Sequence, residues 1–193
     1  MVMTENKMLK KSYIAMTLGS TIGLVASFIQ MIDKITLLKN SDAALVCNIS
    51  DKLNCSSVLN ASQASVLGPP NALISTVMFT FFLAISLDGL FGGLLSKKMK
   101  IITQFLSIFV LAFGFWFLMQ SIFVIGSLCI YCIFNTFGLL LINVNWLQLN
   151  YKYLKASKKT ARFIERLVKN NYDILIWLIV AIFIIASAII KFL

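Results

Sequence analysis

Five stretches of this chain are long and apolar enough to cross a lipid bilayer, which leaves few folds open to it. A helix needs about 20 such residues to span a hydrocarbon core about 30 Å thick. In lipid, only helices and closed barrels satisfy all of their own backbone hydrogen bonds. The stretches run from Ser12 to Ile32, from about Asn71 to Leu95, from Ile101 to Ile125, from about Leu128 to Leu149, and from Ile174 to Leu193. The first is uncharged between Lys10-Lys11 and Asp33-Lys34. It exceeds the roughly 7–15 apolar residues of a signal peptide, so it reads as a retained span. Composition agrees, with 60% of residues hydrophobic and 12% charged, against about 45–50% apolar in soluble domains. The expected fold class is therefore all-α integral membrane, a four-helix transmembrane bundle plus a fifth transmembrane helix.

The basic residues assign the sides. Lys7, Lys10 and Lys11 precede the first span, and Lys97, Lys98 and Lys100 join the second to the third. Seven more, from Lys152 to Lys169, join the fourth to the fifth. Only Lys34, Lys39, Lys52 and Lys191 fall on the other side. The positive-inside rule then predicts the N-terminus inside and the C-terminus outside. Residues 1–11 read as a cytoplasmic N-terminus, 12–150 as the four-helix domain with an outer loop at 33–70, and 174–193 as the fifth span. Residues 151–173 carry Leu154, Ala161, Ile164, Leu167 and Val168 at near-helical spacing among Lys and Arg, which predicts a basic amphipathic linker against anionic lipid. The formal charge of +10 is thus topological, and nucleic acid is not an expected partner. Within the outer loop, Val58-Leu59 and Val66-Leu67 suggest a partly helical cap lying against the membrane. Asp88, 17 residues into the second span, reads as an interfacial acid.

The chain has no His and only seven Asp and Glu residues, which leaves cysteine or a bound cofactor to do chemistry. All four cysteines fall on the outer side. Cys47 and Cys55 lie in the long loop, and Cys129-Ile130-Tyr131-Cys132 opens the fourth span. On a helix, residues i and i+3 share a face with Cβ atoms about 5–6 Å apart, near enough for a disulfide after local adjustment. With Ser127 as the expected N-cap, Cys129 occupies the first turn, where unpaired N–H groups and the helix dipole stabilise a thiolate. One pair in a mobile loop and one at a helix end suggest thiol–disulfide exchange between them, carrying electrons from an outside thiol protein inward. Two structural disulfides also explain an even count, above all for the loop pair. Zinc sites built on four cysteines pair two C-x₂-C units, which the x₇ spacing here does not, so no metal site is expected.

At these residues the chain resembles the vitamin K epoxide reductase family in its bacterial form, without a fused thioredoxin-like domain. The resemblance rests on Cys47, Cys55-Ser56-Ser57-Val58-Leu59, Leu67-Gly68-Pro69-Pro70-Asn71 and Leu128-Cys129-Ile130-Tyr131-Cys132, in that order, and covers about residues 10–150. It implies a four-helix bundle around a quinone, ubiquinone or menaquinone, in a bacterial cytoplasmic membrane with the site facing the periplasm. It also implies the roles: Cys47 meets the redox partner, Cys55 exchanges with Cys129, and Cys132 lies against the quinone. Asn71, Asn135 and Tyr131 are the candidates for the quinone's vicinity, although both asparagines serve equally as caps or as partners of backbone groups. Ala61 stands where the family often has Ser, with Ser62 beside it. Thr136 replaces the Tyr of animal members, which points away from vitamin K epoxide itself as substrate. The expected activity is a quinone-linked thiol oxidase that reoxidises a separate thioredoxin-fold protein for disulfide formation. The alternatives are quinone reduction as the main role, or a non-enzymatic membrane protein or transporter with structural disulfides.

Overall fold

The structure, a computed structural model, describes residues 2–150 and, beyond them, only isolated positions between 175 and 191. The expected linker 151–173 and all but those positions of the expected fifth span 174–193 lie outside the described residues. Among the described residues the chain is helical, with a single isolated β-bridge and no strand. Four helices have the length and composition to cross a membrane: Leu9–Lys39, Asn71–Leu90, Lys97–Ile125 and Ile130–Asn150.

The first of these lies within helix α1, Val2–Lys39. It runs seven residues beyond Ile32, so the outer loop begins after Lys39 and not at Asp33. Charged side chains end an apolar run, but Asp and Lys are compatible with helix once their heads reach water. A short helix α2, Cys55–Asn60, and a 3₁₀ turn, Ser62–Ser65, follow in the loop. Gly68, at φ 96°, turns the chain into Pro69-Pro70, and Pro70 caps helix α3, Asn71–Leu90. This helix stops five residues short of the expected Leu95. Gly92 has φ 93°, and the Gly93 N–H reaches back to the Asp88 carbonyl at 2.8 Å while the Gly92 N–H reaches Gly89. That is the glycine-dependent Schellman ending. Asp88 is exposed in the last turn of α3. Helix α4, Lys97–Gln120, starts at Ser96, whose hydroxyl accepts from the Met99 N–H. It ends in a π turn, Ser121–Ile125. Gly126, at φ 76°, closes that turn and leads into helix α5, Ile130–Asn150.

Helix α1 packs on both α3 and α5, and α4 packs on α5. The approach of α1 to α5 depends on glycine: a Cβ on Gly138 would lie 2.5 Å from the Gly19 carbonyl oxygen, and one on Gly19 would lie 2.8 Å from that of Gly138. Small residues that let backbones meet are the usual device of helix packing in lipid, where burial of apolar surface gives little drive. Interhelical polar contacts add to it. Ser107 of α4 donates to Asn143 Oδ1 of α5 at 3.0 Å, and the Asn143 amide donates back to the Ser107 carbonyl at 3.1 Å. Large apolar side chains such as Leu18, Phe28, Ile102 and Phe105 point outward from the spans, as lipid-facing residues should. One buried cluster, including Phe82, Ile142 and Trp146, fills one end of the bundle. The other joins the loop to the bundle: Val58 and Leu59 pack there with Phe117, Ile122 and the cysteines. Of the four apolar residues expected to form a cap, Val58 and Leu59 are buried against the bundle, and Val66 and Leu67 are exposed.

Candidate functional site

The loop is knitted to the α4–α5 turn by backbone bonds. Leu53 and Leu128 form the one parallel bridge. The Leu128 N–H donates to the Lys52 carbonyl at 2.7 Å, and the Asn54 N–H donates to the Leu128 carbonyl at 3.0 Å. Asn54 is also the N-cap of α2, accepting from the Ser57 N–H at 3.0 Å. Cys55 is thus the first helical residue after a segment pinned by that bridge. A second clasp holds the other loop cysteine: the Asn48 side chain donates to Ser56 Oγ at 2.8 Å and accepts from the Ser56 N–H at 3.1 Å. From α1, Lys34 Nζ donates to the Leu59 carbonyl at 2.7 Å, which satisfies a C-terminal carbonyl of α2 with a cation.

This framework sets the four sulfurs. Cys47 and Cys55 are joined in a disulfide, with Cα atoms 5.7 Å apart, and Cys129 and Cys132 are free. Cys129 Sγ lies 3.4 Å from Cys55 Sγ, and neither residue is exposed at all. The N-cap of α5 is Cys129 itself, and not Ser127 as expected. Its carbonyl accepts from the N–H groups of Cys132 and Ile133, while Ser127 is held by Ser121 and Asp51 in the turn before. Cys129 therefore sits just ahead of the spanning helix, where the first unpaired N–H groups converge. Hydrogen bonding from the Cys132 thiol holds the Cys129 thiol below its ordinary range; N–H groups of Cys132 and Tyr131 add to this, against burial and the Asp33 charge.

Cys132 faces a cavity of about 110 Å³ in the gap between α3 and α4. Asn71, Asn135, Thr136 and Gln30 share its wall, and Leu67, Met78, Phe109 and Phe113 make the rest largely apolar. Two candidates from the sequence thus converge there. The Asn71 amide donates to the Gln63 carbonyl at 2.8 Å, and the Asn135 amide donates to Gln30 Oε1 at 3.2 Å. Both asparagine Oδ1 atoms are buried without a partner. The third candidate, Tyr131, lies elsewhere: it borders a shallow groove with Val25, Ile29 and Phe134, on the side of Asp33. The Thr136 hydroxyl bonds the Cys132 carbonyl at 2.8 Å. Ser62 is exposed and donates to Gln63, away from the sulfurs. Among the described residues no cluster of His, Cys, Asp or Glu could hold a metal.

Two residues of α1 at the site escape the sequence reading. Gln30 donates to Cys132 Sγ at 3.5 Å and approaches Cys129 Sγ at 3.8 Å. Asp33 Oδ2 lies 3.6 Å from Cys47 Sγ. The signal for Gln30 was present, since it is the one carboxamide between Ser12 and Ile32 and a polar group at that depth needs a partner. The model of the vitamin K epoxide reductase family matches residues 14–145, which include all four cysteines and both α1 residues. No curated protein matches the chain.

Proposed function

We propose that this chain, which belongs to the vitamin K epoxide reductase family, is a quinone-linked thiol oxidase. The family is one of membrane oxidoreductases associated with quinones and with disulfide redox chemistry. The finer reading is that the chain reoxidises a separate thioredoxin-fold protein, with ubiquinone or menaquinone as acceptor. The distribution of Lys and Arg supports a site on the outer face of a bacterial cytoplasmic membrane. The observation that carries the proposal is the 3.4 Å contact between Cys55 and Cys129, one sulfur bonded and the other free.

The exchange balances as follows. A partner thiolate attacks Cys47; the partner–Cys47 bond forms, the Cys47–Cys55 bond breaks, and the electron pair leaves on Cys55. The partner's second thiolate displaces Cys47 and takes the new disulfide away. Cys55 attacks Cys129 of an oxidised membrane pair, and the electron pair leaves on Cys132. Cys47 then attacks Cys55, which restores the loop disulfide and frees Cys129. The product of those steps is the arrangement present here, a bonded loop pair above two free membrane thiols. Each step is thiolate attack in line with a disulfide.

The cavity suits the acceptor. Its wall is apolar enough for a quinone ring, Cys132 borders it, and the unpartnered Asn71 and Asn135 oxygens would accept from the hydroxyls of a reduced ring. A bound quinone supplies the two-electron oxidation of the membrane pair. Cys132→Ser tests the reading: Cys55 and Cys129 should be recovered as a mixed disulfide by peptide mapping, and quinone reduction should stop. If every single Cys→Ser variant still oxidises a thiol protein at the expense of quinone, the relay is wrong.

A further inference from the structure

We infer that Gln30 is a catalytic residue of the membrane pair, a hydrogen-bond donor that stabilises the thiolate released on Cys132, and that Asn135 is the positioning residue that aims it. The inference rests on the relay proposed above. When Cys55 attacks Cys129, the Cys55–Cys129 bond forms, the Cys129–Cys132 bond breaks, and the electron pair arrives on Cys132 Sγ. That atom is in a buried, largely apolar wall, and the chain has no His to supply the imidazolium that often supports a reactive thiolate. Lys34, one turn along α1, is committed to the Leu59 carbonyl and Asn60.

Gln30 supplies what is missing. Its side chain is 4% exposed, and Nε2 lies 3.5 Å from Cys132 Sγ and 3.8 Å from Cys129 Sγ. One donor thus spans both ends of the bond that breaks. The direction of the carboxamide is set from the other side, because the Asn135 amide donates to Gln30 Oε1 at 3.2 Å. Turning Gln30 over would set its oxygen against sulfur and its N–H against a donor. An amide in an apolar span is costly to bury unless its groups are paired, and here both of its ends are used.

A donor that favours the thiolate over the disulfide makes the pair more oxidising. The test equilibrates the full-length protein in detergent with dithiothreitol buffers, without quinone or partner, then acid-quenches, alkylates and weighs it. The volume-matched Gln30→Met should shift the Cys129–Cys132 equilibrium toward the disulfide by roughly tenfold, about 30 mV for a two-electron couple. Asn135→Ala should shift it the same way by about threefold, and keeps the inference testable if Gln30→Met does not fold. The Cys47–Cys55 equilibrium should stay within about twofold. The effect of Gln30→Met should widen as pH rises through the thiol titration, since the bond favours the anion. A shift that is absent, independent of pH, or shared equally by the loop pair overturns the inference. A chain that shows the shift and yet fails to reduce quinone would sink the relay and leave the donor role standing.

Discussion

Replacing Gly138 by Ala tests whether the α1–α5 contact is the joint that registers the site. An added Cβ would sit 2.5 Å from the Gly19 carbonyl oxygen, 3.3 Å from the Gly23 nitrogen and 3.3 Å from the Phe79 ring. The closest of these is backbone, so no side-chain rotation relieves it. Restoring an ordinary contact of about 3.4 Å requires the two helices to part by about 0.9 Å at that level. Overpacking of this kind costs about 1–3 kcal/mol, and the gain from replacing a helical Gly returns roughly 0.5–1 kcal/mol. The expected net loss is about 0–2.5 kcal/mol, centred near 1 kcal/mol. Gly114→Ala is the internal control, because its Cβ would meet only Leu139 Cδ1 at 3.4 Å; it should be neutral or slightly stabilising. Both are read by unfolding in a denaturing-detergent titration. Because α1 carries Gln30 and α5 carries Cys132, Gly138→Ala should also lower the yield of exchange between the cysteine pairs. If the two variants unfold together and exchange equally well, the close α1–α5 contact is not what holds the site.

Two further outcomes follow from the turn that carries Cys129. Gly126 has φ 76° and open space around its Cα, so Gly126→Ala should lose about 1–2 kcal/mol from backbone conformation alone, and Gly126→Asn should recover part of it in the same titration. The second concerns pH. Because the Cys129 thiol is held below its ordinary range, chiefly by the Cys132 thiol, its thiolate persists above that lowered value and is lost as pH falls through it. Exchange of Cys129 with the loop disulfide should therefore have a pH midpoint below the ~8.5 of a free cysteine. Cys132→Ala, which removes the leading cause, should move that midpoint upward; a midpoint unchanged in this variant would contradict the assignment.

The spans were legible because an apolar run of about 20 residues has few other uses. Their ends were less so, for reasons visible at two positions. The run from Asn71 stays apolar past Leu90, and only the left-handed Gly92 ends the helix; hydropathy does not register backbone conformation. The cysteine pairs were legible as pairs, from spacing alone. The contact between Cys55 and Cys129 is implied only by the family resemblance, because it depends on the Leu53–Leu128 bridge, a backbone pairing that side-chain identity does not encode. The separation of Tyr131 from the cavity follows from helix geometry: it is one residue from Cys132, about 100° round α5, whereas Asn135 and Thr136 return to the same face at i+3 and i+4.

Helix α1 shows what a charge-based reading leaves out. The charges flanking its apolar run assign sides, and Asp33-Lys34 marks the end of that run. Yet the helix continues through them to Lys39, and its last three turns put three polar side chains onto three different parts of the site. Gln30 reaches the membrane pair, Asp33 reaches Cys47, and Lys34 holds the end of α2. Residues 30, 33 and 34 recur at i, i+3 and i+4, so one face of one helix touches both cysteine pairs and the cap between them. In the proposed relay the loop disulfide opens and recloses, and α1 is the element that meets it on the bundle side. The glycine contact with α5 matters for the same reason: it sets the depth at which α1 stands against Cys132.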